Sequence, residues 1–311
     1  MINQLVLGVR FYLAFAPKFS RLGFEKRRLD KQPVDADFSG QTWLVTGASG
    51  GIGREIVNQA TARGADVIAV ARSPEKLETL AELPGADRIE TLAADLSLTG
   101  EVRDAVDTLQ DRTVDVLLNN VGVLLNDHSL TEEGFETSFA TNLLNHYLLT
   151  ELLIGKGRLA DGALVINMSS GGMYTEPLRP DRLNVTDAKR HDGVKAYARH
   201  KRAQVELTHH WNEHYRNRFS FHVMHPGWVD TEGVKTSLPG FRALFNPILR
   251  DASQGADTAI WLAAEKPEPA SEGIWLDREL RPEHVTDATR TGQDVRSELI
   301  NVLDAALDDT Q

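Results

Sequence analysis

The chain has 311 residues, 41% hydrophobic and 25% charged, the composition of an ordinary globular protein with a sizeable core. Its formal charge of −11 repels phosphate and argues against nucleic acid as a partner. There is no cysteine, which excludes disulfides and thiolate metal sites and fits a reducing, cytoplasmic setting.

The first predicted element is the apolar run Leu5–Ala16, interrupted by Arg10 and too short to span a bilayer. A basic stretch, "KFSRLGFEKRR", follows it. Residues 1–28 read either as an amphipathic helix packed on the domain or as a membrane-surface anchor, and the sequence leaves both open. From Gly40 onward, short β-branched runs alternate with helical patterns, the mark of βαβ units on a parallel sheet. Strands are expected at Thr42–Val45, Val67–Ala71, Ile89–Ala93, Val114–Asn119, Ala163–Met168, Ser220–Met224 and Gly273–Leu276. Helices are expected near Ile52–Arg63, Glu75–Leu83, Leu98–Gln110, Glu132–Leu153, Lys195–Tyr215 and Ala252–Ala264. The expected fold is therefore α/β, a doubly wound parallel sheet of the Rossmann type, with about seven strands and helices on both faces. The implied organisation is a helical extension over 1–39, one domain over 40–280 and a C-terminal helical extension over 281–311.

The stretch "LVTGASGGIG" follows the first strand and opens the first helix. Read as G-x-S-x-G around Ser49 it spells a hydrolase elbow, but that serine would follow only one strand and lacks the chain order of such enzymes. A dinucleotide reading explains the glycines physically. Gly47 permits the turn, and Gly51 and Gly53 let phosphate and helix approach the backbone. The helix beginning at Ile52 then holds pyrophosphate on its N–H groups. The second strand ends in Arg72 and Ser73, where an NAD-preferring enzyme carries a carboxylate; a guanidinium there can fork onto a 2′-phosphate. NADP(H) is favoured as cofactor and NAD(H) stays open.

The fourth strand ends in "LLNNVG", with Asn119, Asn120 and Gly122 placed along the cofactor. Asn142 lies in the next helix, where an asparagine is costly without a partner. The fifth strand ends in Ser169 and Ser170, either of which could hydrogen-bond a reacting oxygen. Tyr197 and Lys201 lie four apart in "YARHK", on one helix face, where an ammonium favours phenolate and pulls the tyrosine toward neutrality. Long irregular stretches at Gly171–Asp192 and Gly227–Asn246 follow strand ends on the ligand side of such sheets. Their Met173, Tyr174, Leu178, Trp228, Leu238 and Phe241 read either as an apolar substrate wall or as loop packing. His209, His210 and His214 read as solvated rather than metal-binding. Trp211 and Trp261 read as core, and the acidic tail as a solvated helix end.

Taken together, "TGASGGIG", "AADL", "NNVG", "FATN", "MSS", "YARHK" and "HPGWVDT" resemble the short-chain dehydrogenase/reductase family, compact type. The resemblance runs from about Gln41 to Leu276, and "NNVG" separates it from the extended nucleotide-sugar enzymes. Within the family, "SSGGMY", "HPGWVDTEGVKTSLPGF" and "QGADTAIWLA" look most like the dehydrogenase/reductase member-twelve subgroup and its retinol-dehydrogenase-like relatives. The resemblance implies Tyr197 as proton donor or acceptor, with Lys201 lowering its pKa and holding the nicotinamide ribose. It implies that Asn142 orders a water in a proton relay and that Ser170 is the catalytic serine, with Ser169 the fallback. Thr46, Gly47, Ser49, Gly51, Ile52, Gly53, Arg72, Asp95, Leu96 and Asn119 would hold the cofactor, Asp95 at the adenine. Pro226, Gly227 and Thr231 would frame the carboxamide. An oxidoreductase of an apolar alcohol or carbonyl is implied, with homo-oligomers frequent in the family. The alternative is an NADP(H)-binding scaffold or redox sensor without turnover. Ser170 and Tyr197 are separated by 27 positions, a wider gap than in most of the family, because "GGMYTEPLRPDRLNVTDAKRHDG" is inserted.

Overall fold

The structure is a computed structural model that describes residues 15–308 and 310. Of the apolar run Leu5–Ala16, only Phe15 and Ala16 fall among these; the rest lies outside the described residues. Eight strands form one sheet in the order β3-β2-β1-β4-β5-β6-β7-β8. They are β1 Thr42–Thr46, β2 Asp66–Ala71, β3 Ile89–Ala93, β4 Val114–Asn119, β5 Leu159–Met168, β6 Ser220–Met224, β7 Ile274–Leu276 and β8 Glu279–Arg281. All neighbours are parallel except the β7–β8 hairpin. The sequence offers about seven strands. The eighth, Glu279–Arg281, follows a two-residue turn of Asp277 and Arg278, both at positive φ, without the glycine or apolar alternation that usually announces a hairpin.

The central strands are buried on both faces, so their side chains alternate between two apolar layers rather than between core and water. Leu44, Ile68, Val70, Leu117 and Val165 face one layer, while Trp43, Val45, Val67, Ala69, Val116, Leu118 and Ile166 face the other. The helices are α1 Arg21–Lys26, α2 Gly51–Thr61, α3 Pro74–Glu78, α4 Thr99–Asp107, α6 Gly193–Tyr215, α7 Glu232–Ser237, α8 Pro239–Phe245, α9 Ala252–Glu265 and α10 Gln293–Asp308. Between α4 and α6 runs α5, composed of Thr137–Phe139 and Asn145–Gly155 joined by a π-helical turn at Ala140–Leu144. It starts later than the expected Glu132, because the buried Glu136 carboxylate caps it by accepting from Ser138 N and Phe139 N. Among the described residues no helix is long and apolar enough to cross a membrane.

Both ends of the described chain pack on this sheet. Phe15 and Phe19 stack with Tyr174 at centroid distances of 5.7 and 6.0 Å, and Trp228 N donates to Phe19 O at 2.7 Å. Leu299, Leu303 and Leu307 of α10 enter the layer around α5 and α6. Only the opposite face of the acidic tail is therefore solvated. The expectation of three solvated histidines fails at His209. It is buried and bonded to Glu283 at 2.8 Å, an ion pair that the sequence could not show because its partner lies 74 positions away.

Candidate active site

The strands β1, β4 and β5 end together on one side of the sheet, at the point where strand order reverses, and a cleft of 530 Å³ opens there. One wall is the turn after β1. Gly47 and Gly51 adopt φ of 67° and 53°, which L side chains rarely hold. A Cβ at Gly53 would overlap Gly47 O, so the third glycine is fixed by contact between helix and turn. Helix α2 carries no side-chain cap, which leaves its first N–H groups available to an anion. These features fit a dinucleotide pyrophosphate. Ile52 lines the same wall, and Gly51 faces Thr231 across the cleft, its Cβ position 3.4 Å from Thr231 Cγ2. Pro226 and Gly227 line the far side.

Several expected contacts lie beneath the cleft rather than in it. Thr46 is fully buried, its hydroxyl donating to Leu118 O and accepting from Asn120 N and Val121 N, so it ties the β1 and β4 turns together. Asn119 is also fully buried, bonded to Thr150 Oγ1 and Asn167 Oδ1, each at 3.0 Å. Its neighbour Asn120 faces the cleft instead, because successive strand residues point to opposite sides. Ser49 is half-buried and does not line the cleft, and Leu96 is buried, its carbonyl accepting from Asn145 Nδ2. Arg72 stands exposed at the end of β2, 3.7 Å from the Asp95 carboxylate. Its guanidinium is free to turn toward a phosphate. Of the loop residues, Trp228, Leu238 and Phe241 line the cleft, whereas Met173, Tyr174 and Leu178 are buried as loop packing.

The floor of the cleft carries the polar groups. The Ser170 side chain lies beside the Tyr197 phenol, near enough to favour its ionised form. Ser169 is turned inward, its hydroxyl donating to Lys201 O at 2.8 Å, so only Ser170 presents its hydroxyl beside the phenol. The Lys201 ammonium lies 5.6 Å from the centre of the Tyr197 ring. Burial pushes Lys201 down to about 7. The Tyr197 phenol is shifted up, burial outweighing the effect of Ser170. This corrects the expectation that the lysine draws the tyrosine toward neutrality. A spacing of four residues shows a neighbouring charge but not the desolvation of both groups. Asn142 sits in the π turn of α5, a feature frequent at functional sites. Its side chain bonds the main chain of Val123 twice, Nδ2 to Val123 O and Oδ1 from Val123 N, each at 2.7 Å.

Besides Gly122, placed along the cofactor from the sequence, three residues at this floor, Gln204, His146 and His225, carried no expectation. Gly122 packs where a Cβ would lie 3.2 Å from Lys201 Nζ and 3.4 Å from Asn142 Oδ1. Gln204 and His146 join Lys201 to α5, and His225 lines the cleft with Nδ1 accepting from Gly227 N at 3.1 Å. Gln204 carries a sequence signal, one turn beyond Lys201 on the same helix; the others carry none beyond proximity to a motif. Gly122→Ala is expected to displace the ammonium by a few tenths of an ångström. Turnover should fall roughly 10–100-fold with the fold intact, as misplacement of this order does. Steady-state kinetics with circular dichroism would check it, and unchanged kcat would show that the glycine does not gate the lysine.

Comparison with known proteins agrees with this geometry. The family described as short chain dehydrogenase matches residues 41–179. Dehydrogenase/reductase SDR family member 12 of Bos taurus is 36% identical over 297 residues, covering 92% of this chain and 93% of that protein. Retinol dehydrogenase 12 of Bos taurus is 32% identical over 254 residues, covering 78% of this chain and 80% of that protein. The crystal structure of the angucycline C-6 ketoreductase LanV with bound NADP superposes with a TM-score of 0.60 at 25% identity, covering 75% of this chain and 92% of that one. The chain belongs to the short-chain dehydrogenase/reductase family of oxidoreductases.

Proposed function

We propose that this protein is an NADP(H)-dependent oxidoreductase that interconverts a secondary alcohol and a carbonyl on an apolar substrate, with Tyr197 as general acid and base. The observation that carries the reading is that Ser170, Tyr197 and Lys201 meet at the floor of a cleft that is continuous with the uncapped N-terminus of α2. A nicotinamide bound there supplies or accepts the hydride. The chain does the rest. The Ser170 and Tyr197 hydroxyls hold the reacting oxygen, and the phenol gives it a proton in reduction or takes one in oxidation. Val194, Leu238, Phe241 and Trp228 line the outer cleft and exclude water. Glu232 is the single carboxylate among the lining residues, so the walls suit an apolar carbon skeleton. The LanV structure binds NADP and several relatives are named for retinol, which supports both parts of the reading.

The cofactor preference rests on Arg72. Fluorescence titrations with NADPH and NADH are expected to favour NADPH by about tenfold or more, which is about 1.4 kcal/mol. Arg72→Ala should abolish most of that preference by weakening NADPH alone. Equal binding of the two by the native chain would remove the arginine argument and leave the dehydrogenase reading in place.

A further inference from the structure

The Lys201 ammonium is buried and has two acceptors, Met168 O at 2.8 Å and Gln204 Oε1 at 3.2 Å. Gln204 lies one helical turn further along α6 and is 1% exposed. Its Nε2 donates to Asn142 O at 2.7 Å and lies 2.8 Å from His146 Nδ1. These partners fix which way round the amide sits. The Asn142 carbonyl can only accept, and His146 is neutral because burial, with the charge on Lys201, pushes it down to about 3. An amide turned over would set its oxygen against the Asn142 carbonyl and its NH2 against the ammonium. The orientation therefore follows from chemistry at both ends.

Asn142 is in turn clamped to Val123, in the segment after β4 that lines the cleft. One string of hydrogen bonds runs from Lys201 Nζ through the Gln204 amide to the α5 main chain and on to the cleft wall. The family resemblance implies a water held by Asn142 in this relay. Between Lys201 Nζ and Asn142 O, however, stands a side-chain amide whose two ends match an ammonium and a carbonyl. The π turn makes this join reachable, because it takes main-chain groups out of the ordinary helical ladder and Asn142 O finds its partner on another helix.

Resting on the reading of Lys201 proposed above, we propose that Gln204 is a positioning residue that anchors the Lys201 ammonium to the Asn142 main chain in place of a bridging water. The titratable groups that face the lysine are Tyr197 and His200 on its own helix and His146 on α5; β5 offers it only the Met168 carbonyl. A carbonyl acceptor steadies the charged amine, so replacing Gln204 changes where Lys201 titrates.

The experiment is a titration of Lys201 itself, by 13C NMR of the lysine Cε in the full chain without added cofactor, the resonance assigned from Lys201→Arg. Gln204→Leu keeps the volume and removes the acceptor, and is expected to lower the midpoint by about half a unit or more. Gln204→Glu keeps the acceptor and adds a charge, and is expected to raise it by about one unit or more. The pH profile for reduction of 9,10-phenanthrenequinone should move in the same direction as each midpoint. Should the glutamate variant fail to fold, Gln204→Met and Gln204→Leu carry the measurement. A residue that only fills space would lower the melting temperature and leave the midpoint still. Midpoints coinciding within about 0.2 units across folded variants overturn the inference. If they coincide while Tyr197→Phe is inactive, Gln204 alone has been misread. If Tyr197→Phe keeps full turnover, the catalytic reading fails and the NMR result on Gln204 stands separately.

Discussion

Tyr197→Phe is expected to lower kcat for carbonyl reduction by roughly 10²–10⁴-fold, the range that a positioned general acid contributes. Over the same substitution the NADPH dissociation constant should change by no more than about twofold, because only one oxygen is lost and the ring keeps its place over Lys201. The raised phenol keeps its proton at neutral pH, and the protonated form is the one that donates to a carbonyl oxygen. The Ser170 hydroxyl remains and supplies one hydrogen bond to the reacting oxygen, which accounts for some residual turnover. Steady-state kinetics beside a fluorescence titration checks both halves. Turnover and binding falling together would mean that the hydroxyl supports the site's shape rather than its proton transfer.

Arg250→Ala carries the largest expected effect on stability. The Arg250 side chain is 1% exposed and pairs with the equally buried Asp277 at 2.6 and 3.0 Å. It also donates to Lys18 O, Ser20 O and Pro226 O, which joins the N-terminal segment to the loop behind the cleft. Gly227, at φ 83°, lies so close over the guanidinium that a Cβ would overlap it. Removing the arginine leaves Asp277 buried with only Arg27 as a charged partner. Breaking a buried pair in this way costs about 3–5 kcal/mol, a fall in Tm of the order of 10 °C in a chain of this size. Differential scanning calorimetry measures it. A change below about 1 kcal/mol would show that Arg27 and solvent compensate, and that this ion triad does not fasten the loop.

The parts of the structure that were legible in the sequence are those specified by neighbours along the chain. Strands such as Val114–Asn119 read clearly because both faces are buried, which leaves a β-branched and apolar run interrupted only by Asp115 before its closing asparagine. The Gly47–Gly53 turn read because Gly47 and Gly51 answer a local φ and Gly53 a local contact. Tyr197 and Lys201 share a helix face by spacing alone. What stayed hidden depends on burial or on distant partners. Ser169 and Ser170 are adjacent, and only the sheet determines that the first turns to Lys201 O while the second meets the phenol. Asn119 and Asn120 were both expected along the cofactor, and for the same reason only Asn120 reaches the cleft. The direction of the Tyr197 shift needed the desolvation of both side chains. Gln204 acquires its meaning from Asn142, 62 positions earlier, through a π turn that no residue pattern announces.

The central claim is that this cleft performs hydride transfer. It is tested most directly by incubating the chain with NADPH deuterated at both C4 positions and a panel of apolar ketones and aldehydes, then weighing the alcohols formed. One deuterium is expected on the carbinol carbon of at least one product, absent in Tyr197→Phe. Saturable NADPH binding with no label transferred to any member of the panel would contradict it, and the scaffold reading would replace the enzyme.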